Sequence, residues 1–137
     1  MISRISQAQF DKLCQFATAA VKEDKGNPIV IAVADEAGDI VYMIHMDGTP
    51  PRSGKIASGK AFTAAKMERT TSALLKFCQD SNTSLDAFVI PGLTTMPGGT
   101  PIVSKEGKPL GAVGVSGRSA QEDQSMADKC AAFLLTL

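Results

Sequence analysis

Ile29-Val30-Ile31-Ala32-Val33-Ala34, then Asp35-Glu36-Ala37-Gly38-Asp39, then Ile40-Val41-Tyr42-Met43-Ile44-His45 follow one another without a break. The outer runs are rich in β-branched residues, which suit a pleated backbone, and the middle run is made of turn formers, so the stretch reads as a β-hairpin. The first strand is apolar throughout. That is the mark of a strand covered on both faces, and it is expected inside the sheet.

Upstream of the hairpin, Ser6 and Gln9 have the spacing of a capping box, and Phe10, Leu13, Cys14, Ala17 and Val21 recur at helical spacing up to Gly26. A helix over Gln7–Asp24 is expected. Downstream, Met46 to Pro51 forms a loop, because Pro51 and the residue before it both resist helix. Ser53 to Met67 is dense in Ala, Gly and Lys and reads as a helix with a small-residue face for close packing. A shorter helix is expected over Ser72–Gln79, followed by the polar break Ser81 to Ser84.

From Pro91 the chain turns glycine-rich, and Ile102-Val103-Ser104, the turn Lys105 to Pro109 and the run Leu110 to Val115 read as a second hairpin. Gly111 and Gly114 inside its last strand mark the close approach of another backbone or of a ligand. Ser119 to Leu137 reads as a docking helix, with Met126, Cys130, Phe133, Leu134 and Leu137 on one face and Glu122 and Asp123 in the first turn, where the helix dipole favours negative charge. Together these give one α+β domain over residues 1–137. Its antiparallel sheet has about five strands, two hairpins plus one, flanked by N-terminal, central and C-terminal helices.

Fourteen basic and fourteen acidic residues leave no net charge, so the general attraction to phosphate on which nucleic-acid binders rely is missing. The apolar runs are far shorter than the ~20 residues of a membrane helix, and the start MISRISQAQF lacks a signal peptide's apolar stretch. A cytoplasmic protein is expected, with no membrane and no nucleic acid among its partners. Cys14, Cys78 and Cys130 are too few and too widely spaced for a disulfide framework or a zinc site and read as reduced thiols.

Several groups could carry chemistry. Gly54-Lys55-Ile56-Ala57-Ser58-Gly59-Lys60 matches a phosphate loop, but Ala61 stands where a magnesium-binding hydroxyl belongs and the segment reads as helix. Arg52, Lys55, Lys60 and Lys66 form a basic stretch able to attract an anion. Lys60 shares a helix face with Ile56 and Ala64 and is expected to point toward the sheet. His45 is the chain's one histidine, which excludes paired-histidine metal sites, and Ser116 lacks the second glycine of a nucleophile elbow, so a triad hydrolase is not expected. Met46 and Met96 lie in loops, where a thioether can grip a planar apolar ligand or bind haem iron. Pro97-Gly98-Gly99-Thr100-Pro101 brings bare backbone amides to a tight turn or to a ligand.

Four blocks resemble the GlcG/HbpS/PduO C-terminal family in order and spacing: Ile31 to Ile40 followed by Met46-Asp47-Gly48, then Lys60 to Ala65, then Gly98 to Pro101, then Gly111 to Gly117 with Glu122-Asp123. The resemblance covers nearly the whole chain. It implies a profilin-like fold, a homo-oligomer (a tetramer or an octamer), and a bound tetrapyrrole, either haem or cobalamin, in a setting of glycolate or diol use. The ligand site it implies draws on Lys60, Arg52, Met46, Asp47, Met96, Gly98, Gly99 and Ser116. Where relatives often read Arg-Met-Asp, this chain reads His45-Met46-Asp47, and with no other histidine an iron ligand would be His45, Met46, Met96, Cys14 or Tyr42. Alternatively the ring is held by packing, with Lys60 or Arg52 pairing its propionates. The protein is read as a binder rather than an enzyme. The alternatives are an enzyme or accessory factor acting on a small organic anion through Lys60, Gly98 and Gly99, and a scaffold for a partner enzyme.

Overall fold

Residues 5–137 are described in a computed structural model of the chain. The capping box forms as its spacing requires: the Gln9 amide donates to Ser6 Oγ at 3.2 Å and the Ser6 amide donates to Gln9 Oε1 at 2.8 Å. It opens α1, Gln7–Asp24, which ends where Lys25 turns left-handed. The hairpin follows as β1, Val30–Asp35, and β2, Ile40–His45. Next come α2, Arg52–Met67, and α3, Thr71–Ser81, then a 3-10 turn at Leu85–Phe88. The second hairpin is β3, Gly99–Val103, with β4, Pro109–Ser116, and α4, Ala120–Leu134, closes the order.

The strands form one antiparallel sheet in the order β2-β1-β4-β3, so the apolar β1 is an inner strand, as its composition requires. Alternation sorts its side chains. Val30, Ala32 and Ala34 face α2 and pack on Ala57, Ala61, Ala64 and Ala65, while Ile31 and Val33, with Ile29 just ahead of the strand, face Leu13 and Ala17 of α1 and Met126, Cys130 and Leu134 of α4. The α2 layer is built almost wholly of alanine. Small side chains let the helix settle close to the sheet, and the larger residues fill the other layer.

Two expectations are corrected. The described residues hold four strands, because residues 82–98 are taken up by the 3-10 turn and interrupted by Pro91, Gly92 and Pro97, which cannot sustain a ladder. Leu137 is 40% exposed, since α4 ends at Leu134 and the last residues leave the helical face.

A clamp closes the fold at the α1 end. Arg118, in the turn from β4 to α4, donates to both oxygens of Asp24 at 2.7 and 3.0 Å and to the Asn27 carbonyl at 2.8 Å. The Arg118 hydrogen bonds, helped by the Gly26 amide, hold Asp24 at about 2, below its ordinary 3.8. A carboxyl whose pKa falls on folding adds stability above its ordinary value and loses it as pH falls through the folded one. Melting curves of wild type and Asp24→Asn are therefore expected to differ above pH 3.8 and to converge toward pH 2. A constant gap across that window would show that the charge is not what the clamp uses.

Candidate functional site

The register of the first hairpin decides what the edge strand presents. Ile40 pairs with Ala34, Met43 with Ala32 and His45 with Val30, so all three stand on the α2 side of the sheet. Helix α2 covers β1, β4 and β3 and leaves this strip open, with Ile40 38% and Met43 39% exposed. The flank of α2 beside the strip carries Gly54, Ser58, Gly59 and Phe62, which recur on successive turns. Between strand and helix lies a cleft of about 590 Å³, bounded also by Lys55, by Gly38 at the hairpin turn, and by Pro91 and Gly92. Four of its lining residues are glycines, which leaves bare backbone walls. Its apolar contacts come from Ile40, Met43 and Phe62, and Lys66 holds its ammonium 5.8 Å from the centre of the Phe62 ring.

His45 does not itself line this cleft but adjoins it at Gly54. Its ring is exposed, and the Cδ2–Nε2 edge lies against Gly54: a β-carbon on Gly54 would be 3.6 Å from Nε2 and 3.8 Å from Met43 Sδ. On the other ring nitrogen, Nδ1 lies 2.8 Å from Thr49 Oγ1. His45 also borders a second groove of about 450 Å³ formed with Lys22, Pro28, Ile44, Met46 and Asp47. Met46 is partly buried against the α1 and α4 layer, Asp47 is exposed in the following turn, and Arg52 is exposed at the start of α2, one turn before Lys55. These residues form one neighbourhood.

The other expected site residues form a different one, and it is closed. Lys60 points toward the sheet as its spacing predicts, and it is fully buried there. Its Nζ donates to the Val115 carbonyl at 2.8 Å and to Asp123 Oδ2 at 3.1 Å. Burial pulls the Lys60 ammonium down from its ordinary pKa and pushes the Asp123 carboxyl up, each against the attraction of the other. Gly98 and Gly99 are buried beside this pair. The Gly98 amide donates to Gln124 Oε1 at 2.8 Å and the Gly99 amide to Thr71 Oγ1 at 2.9 Å, while a β-carbon on Gly99 would strike the Lys60 carbonyl. Ser116 is 6% exposed at the end of β4. The structure gives Lys60, Gly98 and Gly99 partners within the fold, and it buries Ser116. Lys60, Gly98 and Gly99 join α2, α3, α4 and the second hairpin, and both glycine amides are already paired. Met96 lies apart, 49% exposed in the loop before β3.

Sequence reasoning named His45, Met46, Asp47 and Arg52 as candidates but did not join Met43, Gly54 and Phe62 to them or pair Lys60 with Asp123. A signal for that first grouping existed. Period two puts Met43 with His45 on one strand face, and the spacing of Gly54, Ser58 and Phe62 puts them on one helix flank. For the pairing of Lys60 with Asp123, across 63 positions, periodicity offers nothing.

Known proteins share this architecture. Protein GlcG of Escherichia coli K12 is 39% identical over 89 residues, 64% of this chain and 63% of GlcG's own length. The chain thus matches somewhat under two thirds of that relative. An uncharacterized 15.0 kDa protein from the dhaT-dhaS intergenic region of Citrobacter freundii is 31% identical over 93% of this chain and 89% of its own. The crystal structure of a Streptomyces reticuli HbpS double mutant superposes with a TM-score of 0.81 at 31% identity, covering 96% of this chain and 88% of that one. A family model described as haem degrading protein HbpS-like matches residues 5–132. With the sheet order, the flanking helices and these likenesses in agreement, the chain belongs to the HbpS-like family.

Proposed function

We propose that this protein binds haem in the cleft between β2 and α2, with His45 Nε2 as the iron's protein ligand. The observation that carries the reading is the chain's one histidine, exposed and with its Cδ2–Nε2 edge beside Gly54, a residue that lines an apolar, glycine-walled cleft. The volume, about 590 Å³, is within the ordinary ~300–1,000 Å³ of small-ligand sites. Among the described residues no three His, Cys, Asp or Glu side chains gather around a point. A single histidine therefore suits a metal that brings its other donors in a macrocycle. The family's description as haem degrading supports the same ligand.

The residues divide the work. Ile40, Met43 and Phe62 offer apolar contact to a flat ring, and the glycine walls let it lie close. Arg52 and Lys55, three apart on α2, share a helix surface, and in this reading they pair the two propionates. The haem, when bound, supplies iron redox chemistry, and this chain holds and orients it. The same reading makes the protein a cytoplasmic homo-oligomer. Supporting assembly, the free edge of β2 (IVYMIH) has neither charge nor proline to deter another strand.

Titrating the purified protein with hemin is expected to give a saturable Soret shift. In His45→Ala the shift is lost, or affinity falls at least ~10-fold, the effect of ~1.4 kcal/mol of binding energy. An unchanged spectrum and affinity in His45→Ala would remove His45 from the site. Absence of any saturable shift in wild type would end the haem reading, and a saturable change with cobalamin instead would transfer it to a corrinoid.

A further inference from the structure

The turn after β2 bears on which nitrogen of His45 carries the proton. Thr49 Oγ1 lies 2.8 Å from the Met46 carbonyl oxygen and 2.8 Å from His45 Nδ1. A carbonyl has no proton to give, so both contacts are hydrogen bonds at once only when the single hydroxyl proton of Thr49 goes to Met46. At the second contact the hydroxyl oxygen can only accept, and the imidazole must donate. A neutral imidazole has one N–H, and here it is on Nδ1. Nε2 is left with its lone pair, the form in which imidazole binds a metal or takes up a proton.

We infer that Thr49 is a positioning residue that locks His45 in the Nδ1–H tautomer and so presents an unprotonated Nε2 beside Gly54, at the border of the cleft. This is the reverse of the tautomer that a free neutral imidazole prefers in water, so something must enforce it. The turn does so. The Thr49 amide also donates to the Met46 carbonyl, at 3.3 Å, and Gly48 adopts a φ of 88°, which together fix where the hydroxyl stands. Opposite it, the missing β-carbon of Gly54 keeps space beside Nε2, and among the described residues no donor is hydrogen-bonded to that nitrogen. Any electrophile that reaches it, whether iron, another metal ion or a proton donor, meets a free lone pair beside Gly54.

The tautomer stands on hydrogen bonding alone, while its use at iron rests on the haem reading above, and one set of variants separates the two. With a single histidine in the chain, two-bond 1H–15N correlation spectra of the ligand-free protein give one unambiguous pair of ring nitrogens. In its neutral form the wild-type ring is expected to show a protonated Nδ1 and an unprotonated Nε2. Thr49→Val keeps the shape and removes the hydroxyl, and the proton is expected to move to Nε2. Thr49→Ser restores the wild-type pattern. A protonated Nε2 in wild type, or an unchanged pattern in a folded Thr49→Val, would overturn the inference, and the wild-type spectrum decides even if that variant does not fold. In hemin titration Thr49→Val is expected to lose about 10- to 100-fold in affinity, the usual effect of removing a group that orients a metal-binding histidine. If the tautomer switches and hemin affinity does not, Thr49 keeps its role and the haem assignment at His45 fails.

Discussion

Lys60→Met destabilises the protein by about 3–5 kcal/mol, the range for breaking a buried ion pair from one side. Urea denaturation is expected to show this as a lower midpoint at constant slope. Lys60 is fully buried and Asp123 is 3% exposed, so removing the ammonium leaves a carboxylate with no cation in a place water does not reach. The Val115 carbonyl loses its donor as well. Burial already holds Asp123 above its ordinary 3.8, and without Lys60 that rise grows. A group whose pKa rises on folding contributes stability below its unfolded value and loses it as pH climbs through the folded one. Lys60→Met is therefore expected to lie closest to wild type in mild acid and to fall behind as pH rises, which a simple cavity would not do. Lys60→Met/Asp123→Leu recovers part of the loss by removing the stranded charge. The rest is not recovered, because Asp123 also accepts from the amides of Arg118 and Gly117 at the start of α4. A double variant whose cost equals the sum of the two single ones would show that the pair does not act as a unit.

The features legible in the sequence were those written locally. The box at Ser6 and Gln9 fixes where α1 begins, and the apolar β1 declares itself an inner strand because both its faces must be covered. Lys60 also declared its direction, since helical spacing places it with Ile56 and Ala64. What stayed hidden was the partner at the other end of a side chain. Lys60 and a glycine pair read as an anion site when taken without their partners, whereas in the fold Lys60 pairs with Asp123 and the two glycine amides with Gln124 and Thr71. The candidate site was hidden for a related reason. Its walls are β2 and α2, and nothing in either segment says that α2 shifts toward β4 and leaves the β2 edge uncovered. His45 was visible by being the chain's one histidine, but its orientation comes from Thr49, whose role depends on a turn and one hydroxyl proton.

Gly114→Ala is expected to cost at least ~3 kcal/mol, the upper end for forcing atoms into a packed interior, and to lower the melting temperature by roughly 10 °C or more. Gly114 sits where β4 passes under α2. A methyl group there would collide with the Ala57 carbonyl and stand 2.6 Å from the Ala61 amide nitrogen and 3.1 Å from its Cβ. None of these atoms can rotate aside, so the helix itself must lift. The alanine face of α2 makes the contact intolerant, because there are no long side chains to readjust between helix and sheet. Gly59→Ala, on the same helix, is the opposite case. The added methyl would find Thr94 Cγ2 at 3.9 Å, an ordinary contact, and a helical glycine replaced by alanine gains up to about 1 kcal/mol. Two glycine-to-alanine changes around one helix are thus expected to have opposite signs, which thermal melts of both variants will read directly. Lifting α2 also carries Gly54 and Phe62 away from Met43 and His45, which β1 holds in place, so any hemin binding in the cleft is expected to weaken in a folded Gly114→Ala. A Gly114→Ala protein as stable as wild type would mean that α2 and β4 do not touch here, and the cleft defined by their packing would have to be redrawn.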